Sequence, residues 1–509
     1  MQKYAKSNGH LSAQTAVLAM QKPVREIVIA QSFNKGKKNE EEKERREVVV
    51  NMTTAYFIAK EKIPFSKFPG LINLQKKNGL QISSTYANDK SCAEMVSVLG
   101  KVFKERTVSG INQSNYISVM ADGATDAGGL ENETVFCRYL TDGQPVNRLL
   151  GHKAVEHTHA QGLKDAICTT FQEASVNWEQ KLVAFGADGA SVNLGKKAGL
   201  AALLRKEFPF LVDFHCLPHR LELALLELQK SCKSVDDVYS VLHLIWKTYP
   251  YSPKSVRALK SIADELQVDI LKPTQVRGTR WLLHVSLALN VFVGTAKSVS
   301  VSEPAQYSAV LMHMEDLSVN SKVADIQGRA RYISSKMNDI HFAAFCHFLA
   351  DLFSILSRLS LQMQRNDIIL PTIVSHLKES KLRVECLTSR PAPDGHLENC
   401  LPTMKKGQSF PGVVLSGTLE GKATRGGITT SSLQSEIETA VNLCIRALNE
   451  RFDVLLEATG CRPSIETSTT VYGPKEVVKD MLIFIVDVWP TRSSDLMDYG
   501  RQEIQRLTD

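Results

Sequence analysis

The tetrapeptide Ala-Asp-Gly-Ala occurs twice, at residues 121–124 after Ile117-Ser-Val-Met120 and at residues 187–190 after Leu182-Val-Ala-Phe-Gly186. In both places an aspartate, Asp122 or Asp188, closes a short apolar run of strand-like composition. A carboxylate at the C-terminal end of a sheet strand lies in the crevice where α/β proteins bind ligands, and the glycine after it admits close approach of a substrate or an ion. Two such acids on adjacent strands would converge on one point. Phosphodiester chemistry needs that convergence, because carboxylates then hold a pair of Mg²⁺ or Mn²⁺ ions about 3.5–4 Å apart that activate the attacking oxygen and stabilise the leaving one. The competing reading is that each Asp-Gly only makes a turn. Its duplication at two strand ends favours the site, with Asp122 and Asp188 as both catalytic acids and metal ligands.

Three further groups carry chemistry. Cys216-Leu-Pro-His219 ends a strand and opens a helix. Two ligands do not close a tetrahedral zinc site, which would need partners such as His215 or His284, so a packed and hydrogen-bonded strand-to-helix corner is the expectation and zinc is not. Arg277-Gly-Thr-Arg280-Trp281 sets two guanidiniums beside an indole, a combination suited to phosphate contact and base stacking, although a Trp beside an Arg is also common as core plus surface. Glu222 and Glu227 lie on the helix after Cys216, where a simple nuclease could place a last acid; more than a turn apart, they are as consistent with a solvent-facing surface.

The elements that position these residues follow from periodicity. Val48–Lys60, Phe65–Lys77 and Asn88–Lys104 read as helices, broken at Pro64 and Pro69. From Asn115 the pattern changes. Tyr116–Ala121, Glu133–Leu140 and Val146–Ala154 predict three strands, the last two joined at Asp142-Gly143. A helix over Ala160–Ala174, a strand over Lys181–Ala187, a helix over Lys196–Phe208, a strand over Leu211–Cys216 and a helix over Pro218–Lys230 complete the order β-β-β-α-β-α-β-α. That order predicts an α/β fold of ribonuclease H-like type, a mixed sheet of three antiparallel strands followed by parallel strands joined through helices. Beyond Trp281 the chain turns helical, most clearly over His341–Gln364 and Gln434–Leu456, and the Pro, Gly, Ser and Thr content of Arg390–Ser432 predicts an irregular connection.

The expected organisation is a polar linker or zinc-finger remnant over 1–50, a helical N-terminal segment over 51–114, the ribonuclease H-like core over 115–289, a large all-α insertion over 290–470, and the start of a C-terminal part over 471–509. Composition is that of a folded chain: 509 residues, 43% hydrophobic and 23% charged. Sixty-one Lys and Arg against 54 Asp and Glu give +7, which permits nucleic-acid contact without demonstrating it. Ten scattered cysteines without a C-x-x-C spacing suit free thiols in a reducing compartment. The apolar stretch Met481–Val486 is too short to span a bilayer, so no membrane partner is expected.

Taken together, these residues resemble the hAT transposase superfamily, and within it vertebrate proteins in which a zinc-finger N-terminus precedes a hAT-type ribonuclease H-like domain. The resemblance runs over roughly residues 55–505. Its carriers are Ala59-Lys-Glu-Lys-Ile-Pro-Phe65, Val119-Met-Ala-Asp-Gly-Ala-Thr-Asp126, Gly186-Ala-Asp-Gly-Ala-Ser-Val-Asn-Leu-Gly-Lys196, His215-Cys-Leu-Pro-His-Arg-Leu-Glu-Leu-Ala224 and Gly278-Thr-Arg-Trp281. It implies that Asp122 and Asp188 are the first two catalytic acids, Cys216 and His219 a C-x-x-H signature, and Arg280 with Trp281 a DNA-touching element, in a protein of the nucleus, with the cytoplasm as the alternative, that cuts and joins DNA with Mg²⁺ or Mn²⁺.

The family places a third acid, a Glu, after the insertion and a dimerisation segment after that. This sequence stops near that point with Glu503 as the only late helical candidate, so no oligomeric state is assigned. Lys3-Tyr-Ala-Lys-Ser-Asn-Gly-His10 is similar to the tail of the family's zinc finger, without the cysteines that would precede it. The expectation is a transposase-derived nuclear protein that binds DNA, other nucleic acid or nuclear proteins without transposing. An active metal-dependent nuclease or transposase is the first alternative, and a nuclear adaptor with SUMO ligase activity the second.

Overall fold

The computed structural model describes residues 28–83, 85–250, 252–268, 281–294, 306–405, 413–417, 432–457, 480–484 and 499–508, with the isolated positions 11, 12, 14, 15, 270, 271, 273 and 419. The chain divides into two compact units, residues 1–110 and 111–509. In the first, helices α1 (Val28–Lys60) and α2 (Phe68–Lys77) and the start of α3 (Asp89–Gln113) bury Ala55, Ile58, Phe68, Ile72, Ile82 and Cys92. Pro64 precedes a single 3-10 turn and Pro69 occupies the first turn of α2, where its missing N–H costs nothing. The Asn88 side chain accepts from the N–H of Ser91 and caps the start of α3.

The second unit is built on one five-stranded mixed sheet of order β3-β2-β1-β4-β5. β1 (Ile117–Thr125), β2 (Glu131–Thr141) and β3 (Gln144–Ala154) form an antiparallel meander. Asp142 and Gly143, both at positive φ (52° and 74°), make the two-residue turn between β2 and β3, a geometry whose twist matches the flanking strands. Helix α4 (Ala160–Glu173) then crosses back to β4 (Leu182–Ala187), parallel to β1. The short helices α5 (Ser191–Leu194) and α6 (Leu200–Glu207) lead to β5 (Val212–His215), parallel to β4. Val119, Val135, Cys137 and Phe185 are fully buried in the sheet, and Ile167 and Phe171 of α4 are equally buried. Phe171 stacks on Trp178 at 4.6 Å between ring centroids, and Trp178 packs on Phe208 at 5.3 Å. The α/β fold of ribonuclease H-like type, three antiparallel strands followed by parallel ones, is therefore the observed architecture.

The rest is helical. After α7 (Leu217–Ser231), α8 (Lys233–Thr248) and α9 (Pro253–Leu266) come α10 (Trp281–Val293), α11 (Gln306–Asn320), α12 (Ala324–Met337), α13 (Ile340–Met363), α14 (Leu370–Cys386), α15 (His396–Lys405), α16 (Leu433–Glu457) and α17 (Arg501–Thr508). One continuous apolar cluster runs from Leu221 and Leu225 of α7 through α13 to Leu448 of α16. Among the described helices α13 alone is long and apolar enough to cross a membrane, and 78% of its most apolar stretch is buried in this cluster.

Three local expectations are corrected. β1 does not stop before Asp122 but runs on to Thr125, because its ladder with β2 continues to the pair Thr125 and Glu131. The helix expected over Lys196–Phe208 begins only at Leu200: Gly195 and Gly199 approach so closely that a Cβ on Gly199 would lie 2.4 Å from the Gly195 nitrogen. The connection expected to be irregular over Arg390–Ser432 contains α15, whose first N–H groups, those of His396 and Leu397, donate to the buried Asp351 carboxylate of α13 at 2.7 and 3.0 Å.

Replacing Phe171 by Ala empties the space between α4 and the sheet and is expected to cost about 3–5 kcal/mol. Urea unfolding followed by tryptophan fluorescence measures this; a loss under about 1 kcal/mol would show that α4 does not anchor the sheet.

Candidate functional site

The last residue pair in the parallel ladder of β1 and β4 is Met120 with Gly186. Asp122 and Asp188 each lie two residues beyond it, so both acids leave the two central strands at the same level. Asp122 sits within β1, held there by its pairing with Thr134 of β2, and is exposed. Asp188 follows the last residue of β4 and is half-buried. Its Oδ1 accepts from Asn193 Nδ2 at 2.7 Å and from the N–H of Ala190 at 3.1 Å. The side chain of Asn193, itself buried on α5, thereby sets the orientation of the carboxylate.

A third acid lies on the neighbouring strand, one residue out of step with Asp122 and therefore on the other face of the sheet. Glu133 of β2 stands opposite Gly123 of β1 and is only 2% exposed. Its Oε2 lies 3.1 Å from where a Cβ on Gly123 would be. Burial first, and then the charges of Asp122 and Asp188, push its carboxyl up to about 7. Sequence reasoning passed over Glu133 as the polar first residue of a strand. The signal was its parity: Glu133, Val135, Cys137 and Tyr139 alternate on one face, and all four are buried.

The corner after β5 closes the other side. The N–H of Cys216 donates to the carbonyl of Ala187 at 2.8 Å, tying the start of α7 to the end of β4. The His215 ring consequently lies over Gly189, where a Cβ would sit 2.4 Å from its Cε1, so this position admits only glycine. His215 Nε2 is buried without a hydrogen-bond partner. Burial, followed by the charges of Arg220 and His219 and opposed by Asp188, lowers His215 to about 4, so it is neutral at pH 7. The His219 ring is 5.4 Å from it. Burial and then the charges of Asp122 and Asp188 raise the Cys216 thiol, which keeps its proton. Cys216 and His219 thus sit at the edge of the acid cluster.

The remaining candidates are placed as follows. Glu222 is buried rather than solvent-facing and accepts from the N–H of Leu282 at 2.9 Å, capping α10. Glu227 pairs with Arg451 of α16 at 3.3 Å, and Glu503 pairs with Arg506 at 3.4 Å. His284 is exposed on α10. Arg277 and Arg280 lie outside the described residues, as does the Lys3–His10 segment; Trp281 opens α10, and its side chain is likewise outside them.

An all-oxygen donor set of carboxylates suits hard ions such as Mg²⁺ or Mn²⁺ rather than zinc. Among the described residues no three His, Cys, Asp or Glu side chains converge at ligand distance as they stand.

Residues 81–199 match the family DUF4371, described as ZMYM1/FAM200, RNase-like domain. The matched stretch takes in β1 to β4 and therefore Asp122, Glu133 and Asp188. It supports a transposase-derived, ribonuclease H-like domain.

Because the folded state holds the Glu133 proton up to about pH 7 and the unfolded chain releases it near 4.5, stability is expected to fall as pH rises across that window. In EDTA, Glu133→Gln should flatten this dependence and be the more stable protein at pH 8. Urea midpoints at pH 5 and pH 8 check it; an identical pH dependence in the variant would contradict the shift.

Proposed function

We propose that this chain is a nuclear protein derived from a hAT transposase, and that its ribonuclease H-like sheet binds nucleic acid through the phosphodiester backbone with the help of a divalent cation. The observation that carries this reading is the placement of Asp122 and Asp188 at one level on the adjacent parallel strands β1 and β4. The family match over residues 81–199 agrees with it. Asp122 and Asp188 would hold Mg²⁺ or Mn²⁺. Such an ion supplies a positive charge that bridges the carboxylates to phosphate oxygens, which they would otherwise repel.

Each residue has a part that does not depend on the ion. Asn193 and the N–H of Ala190 orient Asp188. Gly189 keeps the backbone low enough for the His215 ring to pack over it. His215 is neutral, and its buried Nε2 has no hydrogen-bond partner. Binding without strand cleavage is proposed, because two acids alone leave the positions of a pair of ions poorly fixed.

The test uses labelled DNA in a gel-shift assay with Mg²⁺ or Mn²⁺ and with EDTA. DNA is expected to be retained in the presence of the ion, released at least tenfold more readily by Asp188→Ala, and left uncut. Retention indifferent to both EDTA and the substitution would overturn the cation-bridged site. Cleavage abolished by Asp188→Ala would make the protein an active nuclease instead.

A further inference from the structure

The two faces of the five-stranded sheet differ. One packs against α4 and holds Val119, Val135 and Cys137, all fully buried. The other carries the aspartates, and the register lays its residues out in rows across the strands. Asp122 pairs with Thr134 of β2, and Thr134 with His152 of β3, so these residues share the face and the level of the acids. The next row runs from Gly186 through Met120 and Phe136 to Leu149. A Cβ on Gly186 would lie 3.5 Å from Met120 Cγ, which puts both on this face.

That second row is open. Phe136 is 36% exposed and Leu149 50%, and Met120 is half-buried. On one side it is bounded by the acid row, where the Thr134 hydroxyl and His152 Nδ1 are hydrogen-bonded at 2.9 Å. On the other side stands Arg138, two residues along β2, which donates to the carbonyl of Ile368 at 2.6 Å, while Asn147 of β3 donates to Asn366 Oδ1. The turn between α13 and α14 closes that side. An aromatic ring thus forms the floor of a trough between the acid row and a wall. Asp122 and Phe136 are diagonal neighbours across β1 and β2, a spacing of about 7–8 Å, comparable with the reach from a nucleotide's phosphate to its base.

We propose that this face binds single-stranded nucleic acid, with an unpaired base stacked on Phe136, between Met120 and Leu149, while its phosphate lies at the cation held by Asp122 and Asp188. The proposal rests on the cation-bridged reading above and names the form of its ligand. A flat apolar floor one row from a cation site is complementary to a nucleotide whose ring is free. In a duplex both faces of each base are already stacked on neighbours, and no ring could reach the floor. Every base has a π-face, so stacking on Phe136 brings little sequence preference. Thr134 and His152 supply polar groups at the edge of the platform.

Fluorescence anisotropy of a labelled single-stranded oligonucleotide, beside the same sequence as a duplex, tests this in MgCl₂, with melting temperatures as the check on folding. The wild type is expected to prefer the single strand by about tenfold or more. Phe136→Leu keeps an apolar side chain but no ring; it should melt with the wild type, lose about tenfold in single-strand affinity and leave duplex affinity unchanged. Phe136→Tyr keeps the ring and should bind as the wild type does. If Phe136→Leu binds the single strand as the wild type does while Asp188→Ala does not, Phe136 is no platform and the two-aspartate reading stands. A dimer that Phe136→Leu converts to monomer in light scattering, with DNA affinity unchanged, would give the patch to a second copy of the chain and overturn the proposal. If the wild type binds neither form in MgCl₂, both readings fall together.

Discussion

The parallel ladder between β1 and β4 runs only from Ile117 opposite Leu182 to Met120 opposite Gly186, yet the crevice depends on it. Side chains alternate along a strand, so a slip of one residue in either strand would send one aspartate to the opposite face of the sheet. The register is enforced from both sides. Val119 and Phe185 are fully buried and could not change faces without exposing their side chains, and Phe171, stacked on Trp178, holds α4 against the meander. The apolar core thereby fixes where two charged groups meet.

Charge is distributed unevenly around that meeting point. On the β2 side stands Glu133, buried and raised by its acidic neighbours; on the β5 side stand His215, His219 and Arg220, with Arg220 donating to the carbonyl of Arg451 at 3.1 Å. The basic side does not reach across to neutralise the acids, since His215 is held neutral and no ion pair joins Asp122, Glu133 or Asp188 to a described cation. The helical part of the unit is joined to this sheet by polar contacts: Arg138 of β2 donates to the carbonyl of Ile368, and Asn147 of β3 to Asn366 Oδ1.

Much of this was legible in the sequence. The β-branched and aromatic runs, the Asp142-Gly143 turn and the repeated Ala-Asp-Gly-Ala were enough to read three antiparallel strands, then parallel ones, with an acid on each of two neighbours. What escaped was set by partners distant in sequence. The end of β1 depends on its ladder with β2, the start of α15 on a cap from Asp351 45 residues earlier, and the burial of Glu222 on the N–H of Leu282 60 residues later. Glu133 escaped for the same reason, since a charged residue at the head of a strand looks solvent-facing until β1 is laid beside it. Local propensity carries none of these contacts.

The central claim is that Asp122 and Asp188, at one level on adjacent parallel strands, face one cation site. A crystal grown in MnCl₂ and measured for anomalous scattering at the manganese edge tests it most directly. A peak within coordination distance of both aspartates is the predicted result. A peak bound elsewhere, or one that either aspartate does not approach, would contradict it.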